Sequence, residues 1–282
     1  MKSITVFALS FLMLAAASGA AAQKIQYFQY PGTAATYVTG VSNTGVIVGY
    51  YIDSLADSHG FSLANGTYTN IDDPDGTGTI SMGINSSGTI VGYYYSGSMN
   101  RWQAFSYSDG TFTNIVPSAD CVSTYAFGID DLGDMAGGCQ TSTLMEGWIY
   151  KAGTYQLVSV PGSAWSYASN INIHGLTTMI WSAQNSDRVQ SSIYNGTTFR
   201  NIDEPNKFST YAWAINAAGN VAISWISGDA GYGAIMMGSI YHNIQPAKCT
   251  SGTGITGIND HGLAVGVCGT GGNAQDGMTV TY

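Results

Sequence analysis

A six-residue segment ending in glycine recurs six times along the chain, and no other feature constrains the fold as tightly. It reads Gly40-Val41-Ser42-Asn43-Thr44-Gly45, then Gly83-Ile84-Asn85-Ser86-Ser87-Gly88 and Gly128-Ile129-Asp130-Asp131-Leu132-Gly133. The other three are Asn170-Ile171-Asn172-Ile173-His174-Gly175, Ala214-Ile215-Asn216-Ala217-Ala218-Gly219 and Gly257-Ile258-Asn259-Asp260-His261-Gly262. Their closing glycines lie 43, 45, 42, 44 and 43 residues apart. The prolines keep the same time. All six (Pro31, Pro74, Pro117, Pro161, Pro205 and Pro246) fall 14 or 16 residues before a closing glycine. A fixed period of this length marks a repeat architecture in which each unit buries its apolar face against the next.

Each repeat reads as four short strands. The first runs into the turn, as in Thr210-Tyr211-Ala212-Trp213-Ala214-Ile215, and the second leaves it, as in Val46-Ile47-Val48-Gly49-Tyr50-Tyr51. The third carries an aromatic after a small residue (Gly60-Phe61, Ala104-Phe105, Gly147-Trp148). The fourth follows a Gly-centred turn such as Asn65-Gly66 and stops before the proline, which cannot donate to a sheet ladder. Runs of Tyr, Val, Ile and Thr bounded by Gly, Asn and Asp are strand and hairpin signals. Four strands in about 43 residues is the spacing of a β-propeller blade. The expected fold is therefore all-β: a six-bladed β-propeller with four antiparallel strands per blade, occupying residues 23–282 as a single domain.

The ends of the chain complement each other. The sixth repeat has only three strands, the last at Gly277–Tyr282, and the missing fourth stands at the N-terminus as Ile25–Tyr30. The N-terminal strand is expected to complete the last blade and so to cover two edges that would otherwise be open.

The cysteines follow the same register. Cys139 and Cys268 each lie six residues after a closing glycine; Cys121 and Cys249 lie twelve and thirteen before it. Four cysteines allow three connectivities. The register favours Cys121–Cys139 and Cys249–Cys268, each joining the approach to a first strand with the end of its antiparallel neighbour. Both fall in the repeats with the longer, 16-residue proline-to-glycine interval.

Oxidised cysteines suit an exported protein, and the N-terminus reads as an export signal. Lys2 is followed by an apolar run from Ile4 to Ala17 and by Ala20-Ala21-Ala22, so residues 1–22 are expected to be a signal peptide cleaved after Ala22. No later segment has the length of apolar sequence that a membrane helix needs. A secreted or periplasmic localisation with no transmembrane segment in the mature chain follows.

The pattern Pro-Gly…Gly-Ile-Asn-x-x-Gly-x-Ile-Val-Gly-Tyr-Tyr…His-Gly-Phe resembles the extracellular HAF-repeat proteins of bacteria. It is carried best by Pro31-Gly32, Gly45 through Tyr51 and His59-Gly60-Phe61, and again by Gly83-Ile84-Asn85 and Ile90 through Tyr94. The name-giving triplet survives loosely, here and as Gln103-Ala104-Phe105. Repeats four and five depart most, with Ser192-Ile193 and Ala234-Ile235 in the corresponding place. The resemblance covers essentially the whole mature chain. It implies secretion and a propeller-like repeat fold but no particular reaction, so no catalytic residue is carried over.

Chemistry is harder to locate. Charged residues are 9% of the chain, against roughly a quarter in an ordinary soluble domain, and Lys and Arg together number 8 against a net charge of −9. That excludes a nucleic-acid footprint. The cysteines form no C-x-x-C pair and paired His ligands at zinc spacing are missing, so no metal site and no cofactor are expected. Asp72, Asp73 and Asp75 crowd before Gly76 as a turn rather than a calcium loop. His174 and His261 share one slot of the glycine turn and read as solvated turn residues. The paired tyrosines of the second strands read as packing between blades.

Residues that break the repeat are better candidates, since packing does not require them. The connections after the prolines differ at Asp75, Asp120, Trp165, Lys207, Phe208 and Lys248, the candidate ligand-binding set. Three functional classes remain open. The first is a secreted, non-catalytic binding or scaffold module, monomeric, with a glycan or a cell-envelope protein as partner. The second is a carbohydrate-active hydrolase or lyase at the channel mouth, for which Asp75 and Asp120 are the acid pair to test. The third is a structural surface or adhesion protein.

Overall fold

The computed structural model describes residues 24–282, except 34, 206, 228, 229 and 273. The expected signal peptide, residues 1–22, lies outside the described residues. These contain no α-helix; they form twenty-four strands. After the N-terminal strand β1 (Lys24–Phe28), unit 1 comprises β2 (Ala35–Val41), β3 (Ile47–Ile52), β4 (Ser58–Ala64) and β5 (Thr67–Asn70). Unit 2 holds β6 (Thr77–Ile84), β7 (Ile90–Ser96), β8 (Arg101–Ser108) and β9 (Thr111–Ile115). Unit 3 holds β10 (Ser123–Ile129), β11 (Met135–Gln140), β12 (Met145–Lys151) and β13 (Thr154–Val158). Unit 4 holds β14 (Ser163–Ile171), β15 (Thr177–Ala183), β16 (Val189–Tyr194) and β17 (Phe199–Asn201). Unit 5 holds β18 (Ser209–Ile215), β19 (Val221–Ser227), β20 (Ala230–Met237) and β21 (Ile240–Ile244). Unit 6 has β22 (Gly252–Ile258), β23 (Leu263–Gly271) and β24 (Ala274–Thr281).

Within each unit, consecutive strands pair antiparallel. In unit 6 the fourth place is taken by β1, antiparallel to β24 from Lys24↔Thr281 to Phe28↔Gly277, so the two chain ends share one sheet.

The repeated glycine turn has a local cause. All six closing glycines adopt positive φ, from +74° at Gly175 to +87° at Gly88, a conformation that a Cβ disfavours. The residue three before the glycine holds the turn through its side chain. Asn259 Oδ1, for example, accepts from the backbone N–H groups of His261 and Leu263, both at 3.0 Å. Just before each turn, the first strand carries a β-bulge against the second, as between Val38 and Gly40 or Ala212 and Ala214. The bulge bends the strand and re-aims its side chains.

The sheets depart from six separate four-stranded units in one respect. Single-residue parallel bridges, Gly231↔Gly252 and Ala35↔Gln275, join units 5, 6 and 1 into a mixed twelve-stranded sheet. At the first bridge two glycines meet, and a Cβ on Gly252 would lie 2.9 Å from the Gly231 nitrogen. Without side chains the backbones close to bonding distance.

The core is distributed rather than central. Six apolar clusters each lie between two neighbouring units: Val48 with Ile84 between units 1 and 2, Val91 with Trp148 between 2 and 3, and Val38 with Val265 between 1 and 6. Both disulfides expected from the repeat register are present, Cys121–Cys139 and Cys249–Cys268, with all four cysteines buried. No helix among the described residues is long and apolar enough to cross a membrane.

Candidate functional site

The first strands of all six units, β2, β6, β10, β14, β18 and β22, line one cavity of about 500 Å³. Alternation along these strands explains its character. In β2, Thr36 and Val38 are buried between units, while Tyr37 and Thr39 face the cavity. In β10, Thr124 and Ala126 point into the packing and Tyr125 and Phe127 into the cavity. Tyr167 of β14 and Trp213 of β18 take the same orientation, and Tyr50 and Tyr93 reach in from β3 and β7. The rings support one another. Tyr37 stacks on Tyr50 at 4.7 Å, Tyr93 meets Tyr125 edge-on at 5.1 Å, and Phe127 lies 5.0 Å from Tyr167.

The hydroxyls of Tyr50, Tyr93 and Tyr167 keep their protons. Burial, assisted by Tyr37, pushes Tyr50 up to about 12, and burial raises Tyr93 and Tyr167 as well. The cavity therefore offers aromatic faces together with neutral hydroxyls able both to donate and to accept. Its lining holds three carboxyl side chains, Asp130, Asp131 and Asp260, and no Lys, Arg or His.

Two of these acids hold one end together. Asn43 of unit 1 donates through Nδ2 to Asp131 of unit 3 (2.9 Å) and to Asp260 of unit 6 (2.7 Å), while its Oδ1 accepts from the Asp260 backbone at 2.8 Å. Asp131 also accepts from the backbone N and the Oγ of Ser86, and Asp260 from the Ala217 N–H. Glycine turns from five units are thus knitted together, and the bond from unit 1 to unit 3 crosses to a unit that is not its sequence neighbour. Burial works to raise the Asp131 carboxyl, but the donors from Ser86 and Asn43 outweigh it and hold the group below its ordinary value.

The residues singled out from the sequence lie elsewhere. None of the six lines the cavity. Asp75 and Asp120 are exposed on separate connections; their backbone N–H groups donate to Asp73 Oδ1 and Ser118 Oγ respectively. Lys207 places its ammonium 5.6 Å from the centre of the Trp225 ring, and Phe208 is exposed. Lys248 donates to Asp276 at 2.6 Å and lies over Tyr27. Trp165 alone approaches the cavity, its ring parallel to that of Tyr167 at 6.0 Å. The structure does not gather these connections into one pocket.

The cavity aromatics were legible as an alternation that a search for repeat-breaking residues passes over. Thr124-Tyr125-Ala126-Phe127, Trp165-Ser166-Tyr167-Ala168 and Thr210-Tyr211-Ala212-Trp213 place aromatics on alternate positions of a first strand, and Thr36-Tyr37-Val38 sets one between small or aliphatic neighbours. The tyrosine pairs divide in the same way. Tyr50 and Tyr93 line the cavity, whereas Tyr51 and Tyr94 are buried in the packing. A further cluster stands outside the cavity in unit 1. There His59 sits between Asp72 (3.1 Å) and Asp53 (3.5 Å) and stacks on Tyr51. Partial burial alone would lower its pKa, but the two carboxylates prevail and raise it.

No protein-family model and no curated protein matches the sequence. Solved structures do match. The β-propeller domain of the Trilobed protease from Pyrococcus furiosus superposes with a TM-score of 0.53 at 11% identity, covering 86% of this chain and 95% of that one. Virginiamycin B lyase from Staphylococcus aureus gives 0.52 at 11% identity over 92% and 99%. Aleuria aurantia lectin, in complex with Fucalpha1-6GlcNAc, gives 0.52 at 10% identity over 86% and 91%. At these identities the likeness concerns the fold, which is all-β and of the β-propeller kind.

Proposed function

We propose that this chain is an exported six-bladed propeller that binds a small ligand, most simply a sugar or short glycan, in its aromatic cavity. The cavity carries the reading. Aromatic faces stack on the C–H faces of sugar rings, and neutral tyrosine hydroxyls match sugar hydroxyls. One lectin of similar fold is named for its complex with a fucosylated sugar, which favours the same ligand class. Six blades and closure by the N-terminal strand are part of this proposal. They rest on the pairing of β1 with β24 and on the apolar cluster between units 6 and 1. Export rests on residues 1–22 and the two disulfides, and kinship with HAF-repeat proteins on the motif residues quoted above.

The Asn43 network lies across one end of the cavity, so ligand enters from the other, past Trp165. The site thus moves from the variable connections to the wall of the channel. The enzyme reading loses its acid pair, because Asp75 and Asp120 do not face the cavity. A glycan and polysaccharide screen of the mature protein, followed by titration of any binder against Trp213→Ala, tests the proposal. Binding that weakens at least tenfold in the variant supports it. Binding that is unaffected by Trp213→Ala places the ligand elsewhere, and the absence of any binder leaves a scaffold role.

A further inference from the structure

Four of the six glycine turns are each joined to the next unit by a side-chain hydrogen bond, and an acid stands at the corresponding position of unit 3. The position three before the closing glycine is Asn in four units. In each of these the amide Nδ2 donates to the backbone carbonyl of the same position in the next unit: Asn85 to Asp130 (3.2 Å), Asn172 to Asn216 (2.8 Å), Asn216 to Asn259 (3.1 Å) and Asn259 to Ser42 (3.0 Å). Unit 3 has Asp130. Its Oδ1 does what the Asn Oδ1 does, accepting from the N–H groups of Leu132 and Asp134, both at 2.9 Å. By analogy with the four Asn turns, whose Nδ2 points to the next unit, Oδ2 is then directed toward unit 4 and the Asn172 carbonyl; unit 1 has Ser42, whose hydroxyl bonds within its own turn. Oδ2 is buried and has no hydrogen-bond partner, and the residue is 6% exposed. As a carboxylate it would set an unpartnered negative oxygen, buried from solvent, against a carbonyl dipole, which is costly.

We infer that Asp130 is a neutral carboxylic acid whose Oδ2–H donates to the Asn172 carbonyl, supplying the link between units 3 and 4 as a proton-dependent latch. Other titratable groups nearby do not remove the need for that proton. Asp131 and Asp134 on the same turn add negative charge. Lys151 of β12 turns its ammonium to Asp134 (3.7 Å) and lies against Gly175 of the neighbouring turn, which also carries His174. The Asn85 turn on the other side is uncharged. Burial, reinforced by Asp134 and Asp131, pushes the Asp130 carboxyl up to about 6 against the two backbone donors. Since the folded value lies above the unfolded one, this link stabilises most in acid and is lost as pH rises from about 4 through about 6.

Thermal unfolding of the mature protein and of Asp130→Asn, measured from pH 4 to 7.5, tests the inference. Asn supplies a permanent donor in the form the other units use. The melting temperatures should come together at pH 4, and the variant should lead by roughly 5–10 °C at pH 7.5. A constant gap at all pH values, or a variant less stable than the parent at pH 7.5, overturns it. Should the variant fail to fold, ¹³C titration of the Asp130 carboxyl in the parent decides: a midpoint near 6 supports the latch and one near the ordinary Asp value refutes it.

Discussion

Repeats four and five break the aromatic rule of the third strand, and the register shows why the break is tolerated. In units 1 to 3, glycine on the second strand pairs with an aromatic on the third: Gly49↔Phe61, Gly92↔Phe105 and Gly137↔Trp148. The ring lies over the glycine, since a Cβ on Gly137 would fall 2.4 Å from the Trp148 ring. In units 4 and 5 the register puts Ser192 and Ala234 at the aromatic's place, one residue before the Ile193 and Ile235 that the sequence pattern matched to it, and the sizes reverse as Met179↔Ser192 and Ile223↔Ala234, while unit 6 has Gly266↔Met278. One large side chain per pair fills the same layer, from either strand. Rebuilding unit 4 in the pattern of unit 2 tests this. Met179→Gly removes a fully buried side chain, at about 3–6 kcal/mol for the lost packing and the glycine entropy together. Ser192→Phe overfills the layer and removes the acceptor of the Trp181 Nε1–H at 3.1 Å, at about 2–4 kcal/mol. In the double variant the ring enters the void left by Met179, so the losses should offset each other with a coupling of about 2–3 kcal/mol. Urea unfolding of the four proteins, followed by circular dichroism, measures it. Additivity within about 0.5 kcal/mol would refute the exchange of sizes.

Two further outcomes follow from the fold. Replacing Cys121 and Cys139 together by Ser opens an 18-residue connection and should cost roughly 3 kcal/mol in urea unfolding, and the same should hold for Cys249 and Cys268; an unchanged midpoint would show that the register alone holds these strands. Removing residues 24–30 strips β1 from β24 and takes Ile25 and Tyr27 off the cluster between units 5 and 6, so the truncated chain should melt at lower temperature and associate through its bared edge, as read by gel filtration. A monomer of unchanged melting temperature would show that β1 adds nothing.

Much of this architecture was legible because it depends on local chemistry. A closing glycine is required wherever the turn needs positive φ, so six turns appear as six glycines. Proline ends a strand because it lacks an N–H, and the cysteines entered with the longer connections they staple. The binding cavity was less legible. Tyr50 and Tyr51 are the same residue type one position apart, yet one faces the cavity and the other is buried between neighbours, because successive side chains on a strand point to opposite faces. The chain order shows the alternation but not which face meets the cavity.

Asp130 draws the same division. As a residue it is one more member of a turn motif, distinguished from Asn by a single atom. The repeat by itself determined the unit, its four strands, its turns, the disulfide pairing and the joining of the two ends, since each follows from backbone conformation or spacing along the chain. Only the tertiary structure decided which rings share a cavity, that the variable connections stay apart, and that the Asp130 oxygen lies buried without a partner. These depend on distances between units more than 40 residues apart in sequence, and such distances are set by how six sheets pack against one another.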